Sequence, residues 1–324
     1  MKALGLLTAF FLSAIAAAHA QATDFPNKPV TIVVSLAAGG PSDTVCRILA
    51  EELSKIWKQQ VVVENKPGGG TVVGNSYVAR SKPDGYTWLH ASASFLISPA
   101  IRSNLPYDAL KDFTGISVIV DAPLAIVAHP GFAPNTLQEL IEEAKKQTAD
   151  KPLPYASSGI ASSSHMAGEL LQKKTGIRLK HIVYSGEAAN ISDTLAGRVA
   201  FQIGTWSTQR TYVEQGKLKL ISVIYRTRIP EAPNMPTLHD FIPGLGGALD
   251  VFNSIVVPAG VPDDVRAKIA DGIKQATATE SYRERIRASG SYPRYTTPQE
   301  TDRFFKTEAA FWVDFAKETG IRLD

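Results

Sequence analysis

The sequence predicts an α/β fold with mainly parallel strands, built as two domains. Short runs rich in β-branched residues alternate with amphipathic helical patterns, which is typical of strand–helix–strand units. The chain has 324 residues, and about 300 would remain after removal of an N-terminal targeting segment, a length typical of two domains. A strand, a loop of small residues and a helix occur at 30–56 and again at 153–174.

Residues 1–22 have the features of a secretory signal peptide. Lys2 gives a positive start, Leu4 to Ala18 is almost wholly apolar, and Ala18-His19-Ala20 has the small-x-small pattern of a cleavage site. The apolar run is shorter than the roughly 20 residues that a membrane-spanning helix needs. The alternative is an anchor that is never cleaved. We therefore predict that the protein is secreted.

The predicted elements alternate along the mature chain. Strands are expected at Val30–Val34, Val61–Val63, Thr87–Leu89, Ile116–Val120, Leu124–Ala128, Leu153–Ala156, Ile182–Tyr184, Val199–Ile203 and Leu218–Ile224. Helices are expected at Val45–Ile56, Thr136–Lys146, Met166–Lys174, Ala188–Ala196, Asp263–Ala276, Ser281–Ala288 and Thr301–Thr319. Thr136 and Glu139 form a capping-box pattern, and Gly176 is expected to end its helix.

The composition excludes several classes of protein. Hydrophobic residues make up 44% of the chain and charged residues 20%, which is typical of a folded globular protein. The formal net charge of +3 does not indicate nucleic-acid binding. The single cysteine, Cys46, lies in an apolar helical pattern and is expected to be a small buried residue. The six histidines are scattered without metal-ligand spacing, so we predict neither a metal nor a cofactor.

The first loop of small residues, 36–43, precedes a helix. Gly39 and Gly40 allow close backbone approach, Ser42 can act as N-cap, and Asp43 falls in the first turn. A helix start presents unpaired N–H groups and a partial positive charge, which together suit a carboxylate. The alternative is a tight turn that only caps the helix, with Asp43 as a partner of the helix dipole.

The second loop, 155–165, is rich in hydroxyl groups and leads into another helix. Its five serines and backbone N–H groups could bind a second carboxylate with neutral donors. The alternative is a flexible Ser-rich connection. His165 follows the serines, but the chain has no G-x-S-x-G nucleophile elbow, so we expect His165 to position the loop. No P-loop or G-x-G-x-x-G motif indicates nucleotide binding.

A set of short motifs runs in a fixed order through the mature chain. The motifs are Phe25-Pro26-Asn27-Lys28-Pro29-Val30, Ala38-Gly39-Gly40-Pro41-Ser42-Asp43, Val62-Val63-Glu64-Asn65-Lys66-Pro67-Gly68, Lys82-Pro83-Asp84-Gly85-Tyr86-Thr87, Leu105-Pro106-Tyr107-Asp108, Tyr155-Ala156-Ser157-Ser158-Gly159, Ser164-His165-Met166-Ala167-Gly168-Glu169-Leu170, Gly216-Lys217-Leu218, Pro233-Asn234-Met235-Pro236-Thr237 and Pro258-Ala259-Gly260. Each alone is weakly specific, but the ordered set resembles the Bug (TctC-like) extracytoplasmic solute receptors of tripartite tricarboxylate transporters.

The resemblance implies a two-lobed periplasmic binding protein of the Venus-flytrap, type II-like class, with two crossings between its lobes. Domain 1 would comprise residues 23–122 and 226–324, and domain 2 residues 123–225. The protein would be a periplasmic monomer without enzymatic activity. It would capture a small carboxylate, dicarboxylic or aromatic, and deliver it to membrane permease subunits. A ligand-presenting partner of a two-component kinase and a Ser/His hydrolase are the alternatives.

The resemblance also implies where the ligand binds. Carried over by position, the contacts fall on Ala38, Gly39, Gly40, Ser42 and Asp43 in the first loop, and on Ser157, Ser158, Ser162, Ser163, Ser164 and His165 in the second.

Two segments depart from the family pattern at the expected cleft walls. Ser35-Leu36 stands where members usually have Pro-Phe, and the segment containing Thr205 and Trp206 replaces acidic or amide residues followed by proline. Trp206 could stack on an aromatic acid, or it could pack at a lobe surface. Ser92 and Phe95 form a second candidate wall, with core packing as the alternative for Phe95. The ligand is therefore expected to differ from that of a typical member.

Overall fold

The computed structural model describes residues 25–148, 150–184, 186–242 and 251–322. The predicted signal peptide lies outside these residues. Within the described ranges, no helix combines the length and the apolar character required to cross a bilayer.

Strands and helices alternate, as predicted, and the strands form two sheets. The strands are β1 (Val30–Val34), β2 (Val61–Asn65), β3 (Thr87–Ser92), β4 (Phe113–Ala122), β5 (Leu124–Ala128), β6 (Leu153–Ser157), β7 (Leu179–Val183), β8 (Phe201–Thr205), β9 (Lys219–Ile224), β10 (Val251–Pro258) and β11 (Tyr292–Pro293). The first sheet has the order β11-β4-β10-β3-β1-β2, and the second has the order β7-β6-β8-β5-β9.

The helices flank these sheets. They are α1 (Pro41–Trp57), α2 (Val72–Ala79), α3 (Ala93–Ile101), α4 (Leu137–Lys146), α5 (Ser163–Thr175), α6 (Glu187–Leu195), α7 (Trp206–Glu214), α8 (Leu238–Phe241), α9 (Asp263–Ala278), α10 (Glu280–Ala288) and α11 (Pro298–Thr319). The prediction of a buried Cys46 on the first helix is confirmed: its side chain is fully buried, and burial raises the pKa of the thiol.

The sheets are mixed, so the expectation of mainly parallel strands is wrong in part. β1 pairs in parallel with β2 and β3, and β6 with β7 and β8. However, β10 runs antiparallel between β3 and β4, and β5 runs antiparallel between β8 and β9. The strand β10 was missed because the polar pair Asn253-Ser254 interrupts its apolar run, whereas the equally buried β5 is apolar throughout and was predicted.

In the first sheet, the register places several strand ends at one edge. Val251, at the start of β10, pairs with Ala122, at the end of β4. Asn253 pairs with Ser92, the last residue of β3. Because β3 runs parallel to β1, the loop after β1 begins at this edge too. The first predicted binding loop therefore lies where the chain leaves the first sheet.

The second sheet has the equivalent arrangement. Only Pro123 separates β4 from β5, and Leu124 pairs with both Thr205 and Ile224, the last residues of β8 and β9. β6 runs parallel to β8, so the Ser-rich loop after β6 also leaves this edge. Both predicted binding loops thus lie at the edges where the two sheets are joined, the usual position of ligand sites in α/β proteins.

Two predicted caps differ from the structure. Gly40, not Ser42, is the N-cap of α1, because the helix already begins at Pro41, and proline suits the first helical position. Thr136 caps α4 by accepting a hydrogen bond from the Glu139 amide, but the Glu139 carboxylate accepts from the Asn135 amide instead of completing the box. Gly176 ends α5 in the left-handed conformation, as predicted.

Candidate functional site

The first loop is closed by the side chain of Asp43. Asp43 Oδ2 accepts hydrogen bonds from the Gly39 amide and from Arg47 Nε, both at 2.9 Å. Its Oδ1 accepts from Asn65 Nδ2 at 3.0 Å. Burial by itself raises the pKa of Asp43, but the hydrogen bonds that it accepts hold that pKa below its usual value. Asp43, predicted as a ligand contact, therefore has its carboxylate occupied in shaping the loop.

The start of α1 offers backbone donors beside this loop. No side chain caps the helix, and Pro41 has no N–H group. Within the described residues, the N–H groups of Ser42 and Asp43 have no hydrogen-bond partner. Ala38 and Gly39 are exposed and Gly40 is half-buried. The first loop thus presents unpaired amides in the manner of an anion-binding helix start.

The remaining predicted residues of the first lobe fall into two groups. Leu36 is exposed, and it lines a small crevice together with Ser92 and Phe95. Phe95 is almost fully buried and packs against the rings of Tyr107 and Phe113. The structure therefore favours core packing for Phe95, whereas Leu36 and Ser92 remain accessible at the loop edge.

The serines of the second loop bond mainly to one another. Ser162 Oγ donates to the Gly159 carbonyl at 2.6 Å and accepts from the His165 amide at 3.2 Å, which makes Ser162 the N-cap of α5. Ser164 Oγ lies 2.9 Å from Ser162 Oγ and 3.0 Å from Ser158 Oγ. Each hydroxyl has one hydrogen to donate. The hydrogens of Ser158, Ser162 and Ser164 are therefore used within the loop.

Ser163 differs from its neighbours. Its hydroxyl makes no hydrogen bond within the part of the chain that the structure describes, and the amides of Ser163 and Ser164 have no partner there either. The second loop therefore offers backbone amides and the Ser163 hydroxyl to a ligand. The expectation that serines of this loop contact a carboxylate stays a prediction, and the structure favours Ser163 among them.

Three stacked rings, those of His165, His181 and Tyr155, support the second loop. His165 and His181 are stacked with their ring centroids 4.2 Å apart, and Tyr155 stacks on the other side of His181 at 5.0 Å. His181 Nε2 lies 2.6 Å from Ser157 Oγ, and the Ala161 amide donates to His165 Nδ1 at 3.3 Å. Burial, and to a lesser extent His181, lowers the pKa of His165 to about 4. His165 is therefore neutral at pH 7 and positions the loop.

In the segment that departs from the family pattern, the side chains of Thr205 and Trp206 make their contacts within the protein. Thr205 donates to Glu187 through its amide at 3.0 Å and through its hydroxyl at 2.7 Å. Burial raises the pKa of Glu187, although these bonds act to lower it. Trp206 is 2% exposed and packs with Val127 and Val223 in the core of the second lobe. The structure favours packing for Trp206 over stacking on a ligand.

Sequence reasoning missed two residues of the first lobe. Asn253 Oδ1 lies 2.7 Å from His90 Nε2 and accepts from Ser42 Oγ at 3.4 Å. His90 is buried, and burial lowers its pKa to about 4. No sequence signal indicated that these residues meet, because they are 163 residues apart and β10 was not predicted.

The arrangement suits binding of an anion. The donors at both loops are neutral amides and hydroxyls. Ser157, which contacts His181, is fully buried and cannot reach an external carbonyl. In the described residues, no group of three or more His, Cys, Asp or Glu side chains could hold a metal ion.

Comparisons with known proteins agree with this arrangement. The model of the family described as tripartite tricarboxylate transporter family receptor matches residues 45–321. A curated relative from Bordetella bronchiseptica is 32% identical over 313 residues, which cover 96% of this chain and 91% of the relative. Protein BugT of Bordetella pertussis is 28% identical over 327 residues, with coverages of 99% and 98%.

Three solved structures are similar over nearly the whole chain. Periplasmic binding protein BugD is 31% identical with a TM-score of 0.80, covering 92% of this chain and 99% of its own. Rpa4515 of R. palustris, solved with adipate, is 26% identical with a TM-score of 0.82 and coverages of 92% and 99%. MatC of Rhodopseudomonas palustris, solved with bound malate, is 25% identical with a TM-score of 0.78 and coverages of 90% and 99%. With its two sheets joined at the loop-bearing edges, the chain belongs to the tripartite tricarboxylate transporter receptor family of two-lobed periplasmic binding proteins.

Proposed function

We propose that the protein captures a small carboxylate between its two lobes and delivers it to the permease subunits of a tripartite tricarboxylate transporter, without performing chemistry. The observation that carries this proposal is the pair of helix starts, at Ser42 and Ser163, whose amides have no partner within the described residues. The loops that lead into these helices leave their sheets at the edges where the two sheets are joined. Relatives of this chain were solved with adipate and malate, which are dicarboxylates.

Two separate donor sets favour a ligand with two acceptor groups, one for each lobe. Hydrogen bonds to a charged group contribute on the order of 1.5–3 kcal/mol each. Three or four of them reach micromolar affinity, about −8 kcal/mol. Neutral donors avoid the desolvation that a buried lysine or arginine would undergo.

The lobes would correspond to residues 23–122 with 226–324, and to residues 123–225. No hydrogen bond joins the loop at 36–43 to the loop at 157–165 among the described residues. Rotation of one lobe toward the other would bring the two donor sets onto one ligand and exclude water. A closed, loaded receptor differs in shape from an empty one, and a permease could recognise that difference.

A thermal-shift screen tests the ligand class. Malate, adipate, citrate and benzoate are compared with glucose and with ammonium chloride at matched ionic strength. We expect one or more carboxylates to raise the melting temperature, since a ligand at a hundredfold excess over its Kd adds about 2.7 kcal/mol of stability. Stabilisation by the sugar or the cation alone would overturn the proposal.

Uptake of the stabilising carboxylate in cells tests the transport role. Deletion of the gene should abolish high-affinity uptake, and the wild-type gene should restore it. Unchanged uptake with altered transcription in response to the ligand would instead indicate the sensing role.

A further inference from the structure

Asn253 lies in the first sheet at the edge that carries the first loop. It pairs with Ser92 across the antiparallel β3–β10 ladder, while His90 pairs with Ile255. Paired residues of an antiparallel ladder share a face of the sheet, and so do residues two apart on one strand. The side chains of Asn253, Ser92 and His90 are therefore on the same face, with Asn253 nearer than His90 to the joined edges.

The Asn253 side chain is held through its oxygen. Oδ1 lies 2.7 Å from His90 Nε2 and accepts from Ser42 Oγ at 3.4 Å. The buried His90 is neutral at pH 7, so its Nε2–H can donate to Oδ1. These two contacts fix the orientation of the amide and leave its nitrogen on the opposite side.

The Asn253 nitrogen has no partner in the described residues, since none of its contacts there involves Nδ2. The nitrogen also does not belong to the buried side-chain atoms that lack a hydrogen bond, and Asn253 keeps 6% of its surface accessible. Ser42, which contacts Oδ1, belongs to the helix start whose amides are unpaired. Two amide hydrogens therefore remain available beside the candidate anion site.

We infer that Asn253 is a ligand-binding residue of the cleft, whose amide group, oriented by His90 and Ser42, donates a hydrogen bond to the carboxylate held at the first loop. This inference rests on the proposed function and names one residue of that same site. It assigns His90 a positioning role, because His90 reaches the ligand only through Asn253.

Substitution of Asn253 by aspartate separates ligand binding from structure. Aspartate retains the oxygen that contacts His90 and Ser42, but it replaces the NH2 group with a second, negatively charged oxygen. We expect Asn253→Asp to weaken malate and adipate binding about 100-fold or more, because a lost hydrogen bond to a charged group corresponds to about 10- to 100-fold and charge repulsion adds to it. Asn253→Ala should weaken binding about 10- to 100-fold.

Isothermal titration calorimetry with malate and with adipate measures both variants. Asn135→Asp, at the other end of the second sheet, adds the same charge away from the cleft and should bind like wild type. A melting temperature of ligand-free Asn253→Asp close to that of wild type would show that the fold is intact.

The outcomes separate the two proposals. Binding by wild type together with unchanged binding by Asn253→Asp would overturn the role of Asn253 and leave the proposed function standing. Weakened binding by Asn253→Ala with full binding by Asn253→Asp would show a structural role only. If wild type binds neither dicarboxylate, the titration is repeated with citrate and benzoate. Binding of none of the four by wild type would count against the proposed function and, with it, against this inference.

Discussion

The carboxylate of Asp43 accepts the amide hydrogen of Gly39 at 2.9 Å, so the side chain of the first helix turn closes the loop that precedes it. The same carboxylate accepts from Arg47 and Asn65. The first loop is consequently held in shape by the protein's own side chains. In the proposed function, this would reduce the entropy lost when a carboxylate binds.

Replacement of Asp43 by alanine should destabilise the protein and weaken ligand binding. Three hydrogen bonds to a buried charge are lost, and we expect a decrease of about 2–4 kcal/mol in the free energy of unfolding. Urea denaturation measures it. Arg47→Ala is the matched control: Arg47 is half exposed, so its loss should cost no more than about 1 kcal/mol. Equal stability of Asp43→Ala and wild type would contradict this account.

The contribution of Asp43 should depend on pH in the acid range. Its pKa in the folded protein is below the usual value, so the unfolded chain takes up the proton first as pH falls. The stabilisation is complete above about pH 4 and is lost as pH falls further, through the pKa of the folded state. The stability difference between wild type and Asp43→Asn, measured by urea denaturation, should therefore shrink below about pH 4.

His165 should make stability depend on pH in a higher window. The ordinary histidine pKa is 6.5, and that of His165 in the folded protein is about 4. Between these two pKa values the unfolded chain binds a proton on this histidine but the folded protein does not. The free energy of unfolding therefore decreases as pH falls from above 6.5 toward 4. The full effect is about 3 kcal/mol. In His165→Gln the decrease in unfolding free energy between pH 7 and 4.5 should be smaller; an unchanged slope would contradict it. The buried His90 acts in the same direction and remains in both proteins.

Ser162 should contribute mainly to stability, whereas its neighbour Ser163 should contribute mainly to carboxylate binding. Ser162→Ala removes the N-cap of α5 and should cost about 1 kcal/mol of stability. Ser163→Ala removes a hydroxyl without a protein partner in the described residues, so stability should change by less than about 0.5 kcal/mol while carboxylate affinity falls. Chemical denaturation and calorimetry on both variants measure the two effects. A larger stability loss for Ser163→Ala than for Ser162→Ala would reverse the assignment.

Asp121 should govern how firmly the two crossings between the sheets are held together. It is 3% exposed, lies next to the crossing from β4 to β5, and contacts Arg226, which follows β9, and Arg294 at 2.9 Å. Asp121→Ala would remove the buried carboxylate that both arginines contact. Because the arginines are themselves partly exposed, the loss should be about 1–3 kcal/mol. Urea denaturation measures the loss, and small-angle scattering should show a broader distribution of lobe orientations. A variant with wild-type stability and scattering would exclude this role.

Sequence patterns predicted the α/β class and most of the elements, because burial of one face imposes a period of two or 3.6 residues. They failed where polar residues interrupt an apolar run. β10 is nearly as buried as the correctly predicted β5, but the polar pair Asn253-Ser254 breaks its apolar pattern. Short α2 and α3 were also missed: α3 carries an internal proline, which is unfavourable in most helices.

The candidate site could be predicted as two loops but not as a set of contacts. The sequence pattern predicted that a loop of glycines or serines precedes a helix at 36–43 and at 155–165. It could not show that Ser158, Ser162 and Ser164 use their hydroxyls on one another, since this depends on how the loop folds back. Trp206 appeared suitable as a wall from its position in the sequence, and only the packing of α7 against β5 shows that it is buried. Asn253 and His90, separated by 163 residues, meet only through the sheet.

Pro123 is the whole connection between β4 and β5, and its carbonyl accepts the Trp206 amide at 2.8 Å. One residue spans at most about 3.6 Å, and the proline ring fixes its own φ angle. The second sheet can therefore turn about the line of this continuous strand but can hardly move away from the first. Helix α7, bonded to the Pro123 carbonyl at its first residue, turns with it. In the proposed function, ligand entry and exit would thus require a change in the angle between the sheets and not in their separation.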